Sequence, residues 1–151
     1  VMKPNSALLK LTQKRHLNRF FYGCVYDVLT PSFNLQYMTR WAGNYSTLRP
    51  EQPWANWRNY SDNRHANVRG QVLSAVPAKV PFEVLVVSGR TVIGQGWITV
   101  QQIRFLETDA PLDIVWQDWT TWQAELPQGA TGGALGAYNT MGMLVETAVI
   151  P

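Results

Sequence analysis

Apolar residues recur along this 151-residue chain with two different spacings, and these predict most of its elements. In residues 5–16 (NSALLKLTQKRH), Leu8 and Leu11 share one helical face. Asn5 or Ser6 is placed to cap the start and basic residues gather near the end, which predicts a short helix. From Phe20 the spacing changes to two. Phe20, Tyr22, Cys24, Tyr26 and Val28 would share one face of an extended segment, and Pro31 ends it. Phe33, Leu35, Tyr37, Thr39 and Trp41 then alternate with Asn34, Gln36, Met38 and Arg40. Both runs read as strands with one buried face.

Residues 42–65 contain two prolines and no sustained period, and read as a long loop of the kind that serves binding or assembly. Beyond it, strands are expected over 66–74, 80–87, 96–106 and 112–122, with turns at Ser88-Gly89-Arg90, Gly94-Gln95-Gly96 and Asp109-Ala110-Pro111. The glycine-rich stretch within residues 128–151 reads as a flexible C-terminal arm. Six or seven strands with at most one early helix give an all-β expectation. It is a single domain over residues 1–151, built as a two-layer β-sandwich whose long crossing loops favour a jelly roll.

Composition sharpens this picture. At 46% hydrophobic and 15% charged residues, with seven Trp, six Tyr and five Phe, the chain is globular but sparsely charged, so part of its surface is expected to be covered by something else. Net charge is only +3, yet ten of the thirteen basic residues fall at or before Arg69, while most carboxylates follow residue 82. Such a face can be a solvated surface or can meet nucleic acid. The single Cys24 excludes an internal disulfide and argues against a disulfide-braced secreted domain. No stretch is long and apolar enough for a membrane span, and VMKPNSALLK has no signal-peptide core. Val1 and the apolar end GMLVETAVIP suggest a processed product or a fragment.

Candidate chemistry is sparse. His16 and His65 are far apart and, with one cysteine, give no metal-ligand spacing; Cys24 sits in an aromatic run where a buried thiol is ordinary. Asp113, Asp118 and Glu125 do not pair for acid–base work, because an odd spacing puts Asp113 and Asp118 on opposite faces of one strand. Gly129–Gly136 lacks the Lys-Ser/Thr ending of a phosphate loop. Asn44 and Asn59 each head an Asn-Tyr-Ser tripeptide that would carry a glycan in a secretory protein. No enzymatic activity, cofactor or metal is therefore expected. Trp54, Trp57, Trp119 and Trp122 read as core or subunit-interface residues, or as sugar-stacking platforms.

The helix-like ALLKLTQKRHLN leading into RFFYGCVYDVLTPSFNLQYM resembles capsid proteins of picorna-like viruses, with the comovirus type of plants nearest. The order of VRGQVLSAVPAKVPFEVLVV, GWITVQQIRF and LDIVWQDWTTWQAELP resembles the second part of their jelly roll, so the similarity covers about residues 5–127 by pattern, with the first strands lacking. The resemblance implies a structural subunit of an icosahedral positive-strand RNA virus, assembled in the host cytoplasm and resident in the virion. Its partners would be other capsid subunits, met through Trp54, Trp57, Trp119 and Trp122, with Lys10, Lys14 and Arg15 facing the packaged RNA without reading its sequence. VPFEVLVVSGRTVIGQGWITVQQIRF also resembles MAM-type adhesion domains, which makes a secreted carbohydrate-binding or adhesion β-sandwich the alternative; one cysteine against their several disfavours it.

Overall fold

The computed structural model describes residues 14–32 and 35–151, and three helices precede eight strands. The helices are α1 (Arg15–Ser32), α2 (Leu35–Leu48) and α3 (Trp54–Ala75). The strands are β1 (Glu83–Ser88), β2 (Thr91–Gln95), β3 (Gln102–Phe105), β4 (Ala110–Pro111), β5 (Ile114–Trp116), β6 (Thr121–Glu125), β7 (Gly133–Tyr138) and β8 (Leu144–Ile150). The chain divides into two compact units. One joins the segment up to Cys24 with Val76–Pro151; the other is Val25–Ala75.

In the first unit the strands form two antiparallel four-stranded sheets, in the orders β1-β2-β6-β5 and β4-β3-β7-β8. Period-two burial explains them. Val92 on β2, Ile103 and Phe105 on β3, Trp122 and Ala124 on β6, and Leu135 and Ala137 on β7 point into one core with Phe82, Leu112, Leu126 and Ile150. Large residues face small ones across the ladders: Trp122 opposite Gly94, Val92 opposite Ala124, Ile103 opposite Ala137. A Cβ on Gly94 would collide with the Trp122 indole and with the carbonyl of Glu83, so only glycine lets that ring lie across β2. Phe82 completes the stack on Trp122, with centroids 5.7 Å apart.

The segment up to Cys24 packs into the same unit through a face no hydropathy search would nominate. Arg19 is 2% exposed and Gly23 is buried, whereas Phe20 and Phe21 are exposed. A Cβ on Gly23 would strike the side chain of Gln101 and the Ile98 carbonyl, so the helix backbone lies directly on the turn before β3.

The second unit is helical throughout its regular structure. Pro53 precedes α3 and its carbonyl accepts from the amides of Asn56 and Trp57, which starts the helix where proline is tolerated. No proline interrupts residues 54–75, and Gln71 Nε2 donates to Asn67 Oδ1 one turn back at 2.6 Å. Only Asp27, Leu29 and Val72 are buried here among the described residues.

Several expectations are overturned. The all-β reading with one short helix fails because residues 15–32, 35–48 and 54–75, expected as two strands, a loop and a third strand, are helices. The jelly-roll order fails as well. Each sheet is two hairpins side by side, β1–β2 with β5–β6 and β3–β4 with β7–β8, rather than three successive strands with a fourth returning beside the first. The glycine-rich arm is in fact β7 and β8, with Leu135 and Ala137 fully buried. Their loop is closed by Asn139, whose Oδ1 accepts from the Met141 and Met143 amides, and by Gly142 at φ 73°. The helix expected over residues 5–16 lies largely outside the described residues.

Candidate functional site

The helical unit builds a continuous row of five aromatic rings. Tyr37, Trp41 and Tyr45 recur every fourth residue on α2 and therefore stand on one face. Tyr37 meets Trp41 edge-on at 6.1 Å between centroids; Trp41 stacks on Tyr45 and Tyr45 on Trp54, both at 5.6 Å; Trp54 meets Trp57 edge-on at 5.0 Å. The step from one helix to the next is held by the Trp54 indole, whose Nε1 donates to the carbonyl of Arg49 at 2.7 Å. Four of the rings remain well exposed, Trp57 by 50%. An aromatic row is normally hidden in a core, so its exposure is the feature that calls for a function.

Two hollows flank the row. One, of about 190 Å³, is almost wholly apolar and is lined by Met38, Trp41, Tyr45, Trp54, Trp57 and Arg58; the other, lined by Thr39, Ser46, Trp54 and Arg58 among others, is more polar. Arg58 borders both. Its Nε is buried and makes no hydrogen bond among the described residues, while its Nη2 reaches Asn59 Oδ1 only at 3.4 Å. Residues 35–75 carry five arginines (Arg40, Arg49, Arg58, Arg64, Arg69) against Glu51 and Asp62, with Glu51 tied to Arg49. The Arg49 contact also holds the Glu51 carboxyl below its ordinary range. The helices that carry the row are thus rich in arginine.

A different constellation lies in the β unit. Arg19 Nε donates to the Trp119 carbonyl at 3.0 Å and Nη2 to the Trp97 carbonyl at 2.6 Å, and its guanidinium lies 3.2 Å from the centre of the Trp116 ring. No carboxylate is within ion-pair distance of it among the described residues, and burial pushes it down to about 9, still a cation at neutral pH. With both carbonyls and the indole face engaged, this arginine fastens α1 to two loops; it is a brace more than a reaction centre.

The residues nominated from sequence scatter. Trp122 is 0% exposed at the centre of the core. Trp119 is half-buried beside Tyr22, 6.1 Å between centroids, and its carbonyl serves Arg19. Trp54 and Trp57 come together in the aromatic row. Lys10 lies outside the described residues, Lys14 is exposed just before α1, and Arg15 is the first residue of α1. Asp113 precedes β5 and lines a hollow with Arg19, Asp118 closes the β5–β6 turn, and Glu125 ends β6. Asn44 and Asn59 are exposed, on α2 and α3. Cys24 is half-buried in α1, and among the described residues no group of three or more His, Cys, Asp or Glu is arranged to hold a metal ion. No helix among them is long and apolar enough to cross a membrane. Sequence reasoning missed Tyr37, Trp41, Tyr45 and Arg58. The four-residue spacing of the first three was available, but a two-residue alternation over the same segment masked it.

The comparisons with known proteins leave the site to its geometry: no family model, no curated protein and no solved structure matches the chain.

Proposed function

We propose that this chain is a structural subunit of a larger assembly, and that the assembly is a virus shell enclosing RNA. The observation that carries the reading is the apolar sheet edge. β1 and β8 are the terminal strands of their sheets, and Leu85, Val86, Val87, Leu144, Val145 and Val149 are all exposed on them. The two edges adjoin, since Glu146 on β8 accepts from the Phe82 amide at 2.7 Å and meets Lys79 at 3.8 Å. Terminal strands of free monomers are ordinarily blunted by charge, proline or bulges; β1 carries one irregularity, between Val84 and Val86, yet its apolar side chains stay exposed, and an apolar edge invites another chain. A neighbouring subunit laid on this edge removes apolar area from water at about 25 cal/mol per Å².

The chain also carries a basic surplus, thirteen Lys and Arg against ten Asp and Glu, that can meet packaged phosphate.

Sedimentation of the chain from its native source, with negative-stain microscopy and the 260/280 nm absorbance ratio, tests the reading. Large regular particles containing RNA are expected. A monodisperse monomer free of nucleic acid would sink it and bring the adhesion or carbohydrate-binding alternative forward.

A further inference from the structure

We propose that the aromatic row from Tyr37 to Trp57 is a binding site for single-stranded nucleic acid, with Arg58 donating to the bound strand. The inference goes beyond the assembly reading and holds whether or not the chain builds a shell.

Unpaired bases present flat π-faces, and proteins that hold them without reading sequence combine a series of exposed rings with a positively charged track. Here the rings share one surface with Arg58. Tyr37, Trp41, Tyr45 and Trp57 are exposed, each in ring contact with a neighbour in the row. The hollow beside them is apolar on its walls and holds one guanidinium, that of Arg58. Arg58 lines both hollows, and its Nη2 reaches Asn59 Oδ1 only at 3.4 Å, so a phosphate or base oxygen entering either hollow offers it a stronger acceptor. Five arginines against two carboxylates over residues 35–75, one carboxylate already engaged by Arg49, leave a surplus of positive charge for the phosphates.

The same geometry argues against other occupants. A duplex buries its base faces in its own stack and offers the rings nothing flat. A protein partner brings charges of both signs, and Asp62 is the one carboxylate of residues 35–75 not already tied to an arginine.

The test uses the full chain and fluorescein-labelled oligouridylate RNA of about 15 nucleotides, within the length such sites occupy, beside a duplex of equal length, read by fluorescence anisotropy over a range of salt. Single-stranded RNA is expected to bind tighter than the duplex. Trp57→Ala should weaken binding about 5- to 150-fold, the loss of one stacked base, while Trp57→Phe keeps a ring and restores most of it. Arg58→Gln should lower the slope of log K against log salt by about 0.7, one phosphate contact on a single strand. Independent of any variant, 5-bromouridine RNA photocrosslinked to the wild-type chain should map to residues 37–58. Equal affinity for duplex, no binding at low salt, crosslinks confined to residues 76–151, or a self-association that Trp57→Ala abolishes would each overturn the proposal. Loss of shell formation with intact single-strand binding would reject the assembly reading and leave this one standing.

Discussion

Residues 76–151 and residues 25–75 handle apolar side chains in opposite ways. The first region buries eighteen residues, among them Trp122, Ile98, Val92 and Leu135, and its large and small side chains face one another across the ladders. Among the described residues the second buries three, and one of these is Asp27. Eight of its large hydrophobics, including Tyr37, Trp41, Tyr45 and Trp57, are exposed. Helices draw most of their stability from packing an apolar face, so a region of three helical segments with so little buried has little of its own to hold it. The comparison teaches that a high aromatic content can serve two ends in one chain. In the β region it fills a core; in the helical region it makes a surface.

Native-state hydrogen exchange on the full chain breaks this comparison most directly. Amides of β2, β3, β6 and β7 should open only with global unfolding, which costs about 5–15 kcal/mol in a typical domain. Those of α2 and α3 should open locally at a few kcal/mol or less, so that protection differs by about a thousandfold or more. Uniform protection across both regions would show that the helices have a core of their own.

Paired tryptophan deletions sharpen it. Trp122→Ala removes a fully buried indole stacked on Phe82 and should cost about 3–5 kcal/mol in denaturant unfolding. Trp57→Ala, on a half-exposed ring, should cost less than about 1 kcal/mol. Similar losses at both positions would erase the distinction between core and surface aromatics.

The next effect is that of Arg19. Arg19→Ala leaves the carbonyls of Trp97 and Trp119 without their donor and strips Trp116 of its stacked cation, a loss of about 2–4 kcal/mol. Arg19→Lys should recover a minor part, because an ammonium cannot lie flat on the indole while reaching both carbonyls. Full recovery by lysine would reduce the role to charge alone.

The smallest effect lies at the β5–β6 turn. Asp118 Oδ1 accepts from the amides of Thr120 and Thr121, both at 2.7 Å. Partial desolvation pushes its carboxyl up, but the hydrogen bonds from Thr121 and Thr120 outweigh this and leave it below its ordinary value. With the folded value depressed, the stabilisation is present above the ordinary carboxylate range and is lost as pH falls through the folded value. Asp118→Asn should therefore flatten the acid limb of a stability profile below about pH 4 and change stability at neutral pH by no more than about 1 kcal/mol.

Parts of this outcome were legible from residues alone. Period two over Ile103–Phe105 belongs to a strand in both the sequence and the structure, because a half-buried strand has no other way to sort its side chains, whereas the strands Thr91–Gln95 and Thr121–Glu125 fall largely outside the expected ones and the first overruns the turn expected at Gly94-Gln95-Gly96. The same logic misled over residues 20–41. There the aromatics alternate, but the buried face of α1 is Arg19, Gly23 and Asp27, spaced by four and mostly polar, so a search for apolar period could not find it. The long loop expected over residues 42–65 was itself a warning, since a structureless segment of that length inside a compact fold is uncommon; it proved to be the end of α2, a short turn and the start of α3.

What the sequence determined by itself was the alternation within single strands, the charge division between the two halves and the scarcity of catalytic side chains, all properties that follow from residue identity or from neighbours in the chain. What only the tertiary structure decided was which strands pair, that the glycine-rich end is a hairpin sealing one sheet, that Trp122 lies within while Trp57 lies without, and that five rings from two helices form one row. Those outcomes depend on contacts between residues distant in sequence, such as Gly94 with Trp122 or Arg19 with Trp97 and Trp119. No local pattern encodes a contact of that kind, because its energy exists only after both partners have been brought together.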